Sequence, residues 1–281
     1  MKLLRYGPPG REKPGLLDGE GRIRDLSAHV ADIAGTVLTP EGLAGIAALE
    51  LDGLPIVSGQ PRLGPCVGHV PKFVAIGLNY ADHAAEAGLP VPSEPVVFSK
   101  WTSCIIGPDD DVVIPPGARK TDWEVELGVV IGSRASQVSE TAALEHVAGY
   151  CVVNDISERE WQAERGGTWD KGKGFDTFGP IGPWLVTRDE VPDPQALDLW
   201  LEVDGVRRQQ GSTATMIFGV AEIVAYCSRL MTLMPGDVIT TGTPPGVGMG
   251  ATPPVFLRGG EVMRLGIEGL GEQRQRVRSR D

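Results

Sequence analysis

The sequence predicts an α+β protein that is mainly β, with a small β-rich unit ahead of a larger one. Two observations carry this. Apolar runs such as Phe73-Val74-Ala75-Ile76-Gly77 and Val147-Ala148-Gly149-Tyr150-Cys151-Val152-Val153 are short and rich in β-branched or aromatic residues, which is how buried strands read. The 38 glycines and 23 prolines recur between such runs, so few stretches can sustain a helical period.

Met1–Tyr6, Pro14–Asp18 and Arg22–Leu26 read as short strands separated by Gly and Pro turns. Thr39-Pro40-Glu41 supplies an N-cap, a first-turn proline and an early acid, predicting a helix through Leu43, Ile46, Ala47 and Leu49 that stops before Gly53. The Gly/Pro-rich stretch 59–71 reads as a linker between a small N-terminal β-rich domain, 1–70, and a main domain, 71–281. The main domain opens on the Phe73–Gly77 strand. A helix of about two turns follows and ends at Gly88; it is too short to be stable alone and is a candidate mobile lid. Thr141–Val147 reads as helical, Val147–Val153 as a strand, Ser157–Gln162 as helical, and Trp169–Pro180 as a Gly-rich loop. That loop lacks the G-x-x-x-x-G-K-[ST] order of a phosphate loop, and its lysine suits a single anionic group better. Leu197–Val203 alternates as a strand, Asp204-Gly205 turns, and Val206–Gln210 returns. Ile217, Val220, Ala221, Val224, Cys227, Ser228 and Met231 keep a helical period behind Thr215 as cap. Val238–Thr241 is a strand that runs into a Gly/Pro loop, and a last strand pair precedes a basic, frayed tail at Arg274–Arg280.

Chemistry concentrates in Asp122–Ile131, which reads as one strand. Side chains alternate along a strand, so Asp122, Glu124 and Glu126 share a face, with successive acids roughly 7 Å apart along it. If that face is desolvated, the carboxylates must protonate, pair with Lys or Arg, or bind a cation, and a hard divalent metal suits them. An edge strand with its acid face in water would carry the same pattern. Asp155, at the end of the next buried strand, is placed either as a third ligand or as a helix cap. His83 and Glu86 are three apart on the short helix, so the carboxylate can orient the imidazole as a general base; a surface His beside a surface Glu has the same spacing.

A formal charge of −11 argues against non-specific binding to nucleic acid or to an anionic membrane surface. The four cysteines, Cys66, Cys104, Cys151 and Cys227, lack any C-x-x-C pairing and read as buried free thiols. No run of some 18 apolar residues and no signal peptide stands out, which makes the cytoplasm the default. G-x-S-x-G and H-E-x-x-H are both missing, so serine-hydrolase and zinc-protease readings have no support.

Five motifs stand in order: Asn79-Tyr80-Ala81-Asp82-His83-Ala84-Ala85-Glu86; Glu124-Val125-Glu126-Leu127; Asn154-Asp155-Ile156-Ser157; Lys173-Gly174-Phe175-Asp176-Thr177-Phe178 with Gly182-Pro183; and Gly236-Asp237 leading to Thr241-Gly242-Thr243-Pro244. Together they resemble the fumarylacetoacetate hydrolase superfamily over residues 70–275, and the preceding β unit resembles an N-terminal extension of many bacterial members. The resemblance implies a mixed, largely β core folded as a roll, and a homodimer or dimer of dimers. It implies Mg²⁺ or Mn²⁺ held by Glu124, Glu126 and Asp155, a water-activating His83–Glu86 dyad, and Lys173 stabilising negative charge. Arg159, Gln162, Thr243 and Tyr80 match substrate-binding positions. Leu78 departs from some acylpyruvase-like relatives, which carry arginine before Asn-Tyr.

The substrate implied is a small 2,4-diketo acid, hydrolysed at a carbon–carbon bond to pyruvate and a hydroxy acid. Gly246–Gly250 and Gly266–Gln273 look most like members acting on 2,4-diketo-3-deoxy-L-rhamnonate or -fuconate. Ureidoglycolate lyase, oxaloacetate decarboxylase and hydroxymuconate isomerase activities are alternatives on the same site. A non-catalytic metal-binding module is the alternative of another class, and it would need neither the dyad nor the lysine.

Overall fold

The computed structural model describes every residue except Ala87, Leu89, Arg280 and Asp281. The chain runs through β1 (Lys2–Tyr6), β2 (Lys13–Leu17), β3 (Ile23–Asp25), α1 (Pro40–Ala47), β4 (Phe73–Gly77), α2 (Ala81–Glu86) and β5 (Val96–Lys100). Next come β6 (Ile105–Ile106), β7 (Val112–Ile114), β8 (Thr121–Asp122), β9 (Val125–Ile131), α3 (Glu140–Ala143), β10 (Val147–Asn154) and β11 (Ser157–Glu158). The rest is α4 (Asp170–Lys173), β12 (Gly179–Thr187), β13 (Asp198–Val203), β14 (Val206–Ser212), α5 (Val220–Leu230), β15 (Val238–Thr240), β16 (Val262–Ile267) and β17 (Gly271–Ser279). The predicted mainly-β α+β class is what the structure has.

Two mixed sheets make the body. The larger has the order β3-β2-β1-β12-β10-β9-β15-β4-β5, with β6 beside β12, and the smaller has β14-β13-β16-β17-β7. β9 and β10 lie at the middle of the larger sheet and are buried along their whole length, which is why both read as continuous apolar runs. The N-terminal strands extend that sheet, with β1 laid antiparallel on β12 from Lys2 opposite Val186. Arg5 reaches Asp32 at 2.6 Å within the early chain, and Arg62 reaches Asp110 at 2.5 Å, so an ion pair joins the early chain to the later one. All four cysteines are buried and free. Among the described residues, no helix is long and apolar enough to cross a membrane.

Several elements differ from the sequence reading, each for a local reason. The Asp122–Ile131 strand breaks at Trp123-Glu124, leaving β8 and β9. Ser157-Glu158 is a strand on β8, followed by a π-turn at Glu160–Glu164, because pairing with Thr121-Asp122 overrides local helix propensity. The Gly-rich loop holds one helical turn, α4. The helix behind Thr215 starts only at Val220, since Thr213–Thr215 closes a separate 3₁₀ turn capped by Ser212. The expected frayed tail is β17, held between β16 and β7, with Arg280 outside the described residues. Ala87 of the predicted lid helix is also outside them. β5 and β12 are strands that Gly, Pro and Ser hid from a reading by pattern.

Where β10 meets β12, a Cβ on Gly149 would lie 2.1 Å from the Val186 carbonyl oxygen. Backbone cannot swing aside as a side-chain tip can. Gly149→Ala is therefore expected to cost about 2–3 kcal/mol, read as a lower urea midpoint at unchanged slope.

Candidate metal and substrate site

Glu126 is the second residue of β9, Glu124 lies in the break before it, and Asp155 follows the last residue of β10. The two strands are antiparallel, with Glu126 opposite Val153 and Val125 opposite Asn154, so the three acids converge at one strand end. Each offers a carboxylate oxygen within 4.8 Å of the others, and all three side chains are buried.

The break at Trp123-Glu124 is stabilised by buried amides in place of ladder hydrogen bonds. Glu124 N donates to Asn154 Oδ1 at 3.3 Å, and Val125 N to Gln209 Oε1 at 3.0 Å. Gln209 reaches in from β14 of the smaller sheet and also donates to Thr243 Oγ1 and the Pro244 carbonyl. Asn154 in turn donates to Gln275 of β17 at 3.0 Å. The smaller sheet thus fixes the bend that aims Glu124.

Three cations surround the acids. Lys173 Nζ lies 2.5 Å from Glu124 Oε2 and 2.7 Å from Asp155 Oδ2. Arg159 bridges Glu124 Oε1 at 2.7 Å and Asp122 Oδ2 at 2.8 Å. Lys100 Nζ lies 2.6 Å from Asp155 Oδ1. Burial works against charge on Glu124, but Lys173 and Arg159 outweigh it and hold the carboxyl at about 2. Among the described residues, Glu126 has no such cation partner. Burial, then Asp155 and Glu124, push its carboxyl well above the usual range, although Thr240 Oγ1 and Gly242 N donate to Oε2 at 2.5 and 2.7 Å. Gly242 is required for that last contact: its φ is +92°, and a Cβ there would meet Asn79 Cβ at 2.7 Å.

The donor set suits a hard divalent cation. Three buried carboxylates converge, burial beside two other acids disfavours charge on one of them, and the Lys173 ammonium is wedged between the other two where cationic charge is demanded. Glu124, Glu126 and Asp155 would hold the ion.

A cavity of about 140 Å³ opens beside Glu124, Glu126 and Lys173 and is lined also by His83, Arg159, Gln162 and Thr243. Its remaining wall is mostly apolar, from Ile76, Leu78, Ala163, Trp169 and Met249. Gly77 at the end of β4 lets the Trp169 ring close one side, since a Cβ would sit 2.3 Å from it. Leu78 faces the cavity from a left-handed backbone, φ +53°.

Most residues singled out in the sequence are brought together here. His83 Nδ1 lies 3.1 Å from Glu86 Oε2, and the Gly246 N–H donates to Glu86 Oε1 at 3.0 Å. A backbone donor thus holds the carboxylate that orients the imidazole. Arg159 NH1 donates to Gln162 Oε1 at 3.1 Å, fixing both beside Glu124. Thr243 lines the cavity, but its hydroxyl proton goes to the Val125 carbonyl at 2.9 Å. Tyr80 stands apart. It is fully buried, does not line the cavity, and its hydroxyl finds no hydrogen-bond partner among the described residues. Burial, with Glu126 and Asp82 nearby, pushes that phenol further up. Lys173 was expected to meet an anion; the anions it meets are Glu124 and Asp155.

One residue does more than the sequence predicts, and another escaped the sequence reading. Asp122 was placed on the acid face, yet it accepts from Gly248 N and Met249 N as well as from Arg159. Lys100 was not considered at all, because the segment that carries it shows no clear alternation.

The chain matches the family model for the fumarylacetoacetate (FAA) hydrolase C-terminal region over residues 72–278. A Burkholderia orbicola protein, provisionally named a hydrolase, is 72% identical over 99% of both chains. The solved fumarylacetoacetate hydrolase of Exiguobacterium antarcticum covers 100% of both chains at 35% identity and a TM-score of 0.88. Maleylpyruvate hydrolase of Sphingobium sp. SYK-6, solved with manganese(II) and pyruvate, also covers 100% of both, at 31% identity and a TM-score of 0.83.

Two outcomes follow for measurement. In the metal-free protein the folded chain keeps the Glu126 proton to a higher pH than the unfolded chain, which releases it near 4.5. This group's contribution to stability therefore falls as pH rises above that value. Glu126→Gln should leave the metal-free melting temperature at pH 7 unchanged or higher while abolishing stabilisation by Mn²⁺, as thermal scans with and without the ion would show. A Cβ on Gly250 would lie 2.5 Å from Glu86 Cδ. Gly250→Ala should thus displace Glu86 and lower turnover by about tenfold to a hundredfold, with Mn²⁺ binding by calorimetry unchanged.

Proposed function

Because this chain belongs to the fumarylacetoacetate hydrolase family, we propose that it is a divalent-cation-dependent hydrolase that cleaves the C3–C4 bond of a 2,4-diketo acid to give pyruvate and a carboxylic acid. The observation that supports this reading most is that His83, oriented by Glu86, lines the same small cavity as Glu124 and Glu126 of the buried acid triad. A structural metal site needs no base facing it.

A Mg²⁺ or Mn²⁺ ion at Glu124, Glu126 and Asp155 would act as a Lewis acid toward the substrate's 2-oxo group. The chain's own residues do the rest. Glu86 holds Nδ1 of His83 in place, which leaves Nε2 to take a proton from water. The water oxygen attacks the C4 carbonyl, the C3–C4 bond breaks, and its electron pair passes to C3, where a proton completes pyruvate. Lys173 bridges Glu124 and Asp155, lines the cavity, and offsets the negative charge developing on the pyruvate half. Gln162 and Arg159 flank the same cavity and orient the keto acid. That a related enzyme was solved with manganese(II) and pyruvate supports pyruvate as the product half.

The walls bear on the other half. Ile76, Leu78, Ala163, Trp169 and Met249 offer few partners to hydroxyl groups. Each hydroxyl of 2,4-diketo-3-deoxy-L-rhamnonate or -fuconate stranded there would cost about 1–3 kcal/mol, so a compact or apolar group beyond C4 fits better. Chelator-stripped protein given Mn²⁺ and acetylpyruvate should release pyruvate, followed by coupled lactate dehydrogenase, and should turn over the rhamnonate compound more slowly. His83→Ala should lower kcat by about 10²–10⁴-fold with Mn²⁺ affinity retained. A change in diketo-acid absorbance without pyruvate would instead make the chain an isomerase, and full activity in the His83 variant would sink the assignment of the base.

A further inference from the structure

Lys100 is the last residue of β5 and is only 1% exposed. Its ammonium has three donors and three acceptors: Asp155 Oδ1 at 2.6 Å, the Ile156 carbonyl at 3.3 Å, and the Lys173 carbonyl. The Phe73 ring lies 6.0 Å from Nζ. With every donor spent inside the protein and Lys100 not lining the cavity, it is not placed to touch substrate.

Its contacts instead join two residues of the site. Asp155 is held by lysine on both oxygens, Oδ1 by Lys100 and Oδ2 by Lys173 at 2.7 Å. The same strand also holds both ends of α4. Ser99 N donates to Asp170 Oδ1 at 2.8 Å where the helix begins, and Lys100 takes the carbonyl of Lys173 where it ends. A single turn has no stability of its own, so its place depends on what grips it.

We propose that Lys100 is a positioning residue of the acidic cluster: it holds Asp155 and Lys173 in fixed relation and keeps Asp155 Oδ1 from a cation, so that this carboxylate offers one oxygen, Oδ2, on the side of Glu124. Its charge also tempers the site's attraction for a divalent ion. The proposal rests on the metal reading of Glu124, Glu126 and Asp155 but not on the identity of the substrate.

The test is calorimetric titration of Mn²⁺ into the chelator-stripped full chain, with the Mn²⁺ electron paramagnetic resonance spectrum of the loaded protein. Wild type comes first, since no binding there would overturn the metal reading and this inference with it. Lys100→Met removes a unit charge next to a ligand and frees the second oxygen of Asp155. Its Kd should tighten by about threefold or more, with a changed spectrum. Lys100→Arg returns the charge and should bring Kd back within about twofold of wild type. Wild-type Kd and spectrum in Lys100→Met, or Kd weakened in both variants, would overturn the proposal. If Lys100→Met does not fold, the Lys100→Met/Asp155→Asn double variant decides. Recovery of folding would support an ion pair made for Asp155. Failure of the double as well would show that Lys100 serves folding through the two carbonyls, and would overturn it.

Discussion

Three carboxylates buried at one point are the constraint on which the rest of this structure depends. Isolated charges cannot be carried into a strand-lined interior without partners. Glu124 and Asp155 are ringed by Lys173, Lys100 and Arg159, whereas among the described residues Glu126 is met by a hydroxyl and a backbone N–H, and burial beside two acids pushes its carboxyl upward. Cations thus offset most of the buried negative charge. A divalent ion held there would add positive charge beside the cavity, which suits an anionic ligand.

That balance requires geometry that a regular strand cannot supply. Consecutive facing positions along an unbroken strand would spread the acids in a row. The break at Trp123-Glu124 gathers them instead, and the smaller sheet makes the break tolerable by lending Gln209 and, through Asn154, Gln275. The two sheets thus cooperate at the site: one delivers the acids, and the other satisfies the backbone where delivery disrupts the ladder. The dyad belongs to a different layer of the design. It sits on a six-residue helix and is tied to the Gly246–Gly250 loop through Glu86, so its order depends on a few contacts and not on the core.

Much of this was legible in the residues. The apolar runs at Phe73–Gly77 and Val147–Val153 mark central strands because burial on both faces leaves no place for polar alternation. The acids in Glu124-Val125-Glu126 and Asp155 stand out for the converse reason, as charge where the pattern demands apolar side chains. β12 was illegible because Gly179-Pro180-Ile181-Gly182-Pro183 reads as a turn, and only pairing with β1 and β10 makes it a strand. The Arg274–Arg280 segment read as a tail because alternation of charged and polar residues cannot reveal that Gln273, Gln275 and Val277 face inward.

The sequence by itself determined the strand-rich class, the identity of the acids, and the His83–Glu86 spacing, since these follow from local period and residue chemistry. Tertiary structure alone decided which cation meets which carboxylate. Lys100 comes from a strand whose pattern is silent, Lys173 bridges Glu124 and Asp155 while lining the cavity, and Tyr80 is withdrawn into the core. The reason is that side-chain charge pairing in a low-dielectric interior is set by which strand ends meet in space. No spacing along the chain encodes that meeting.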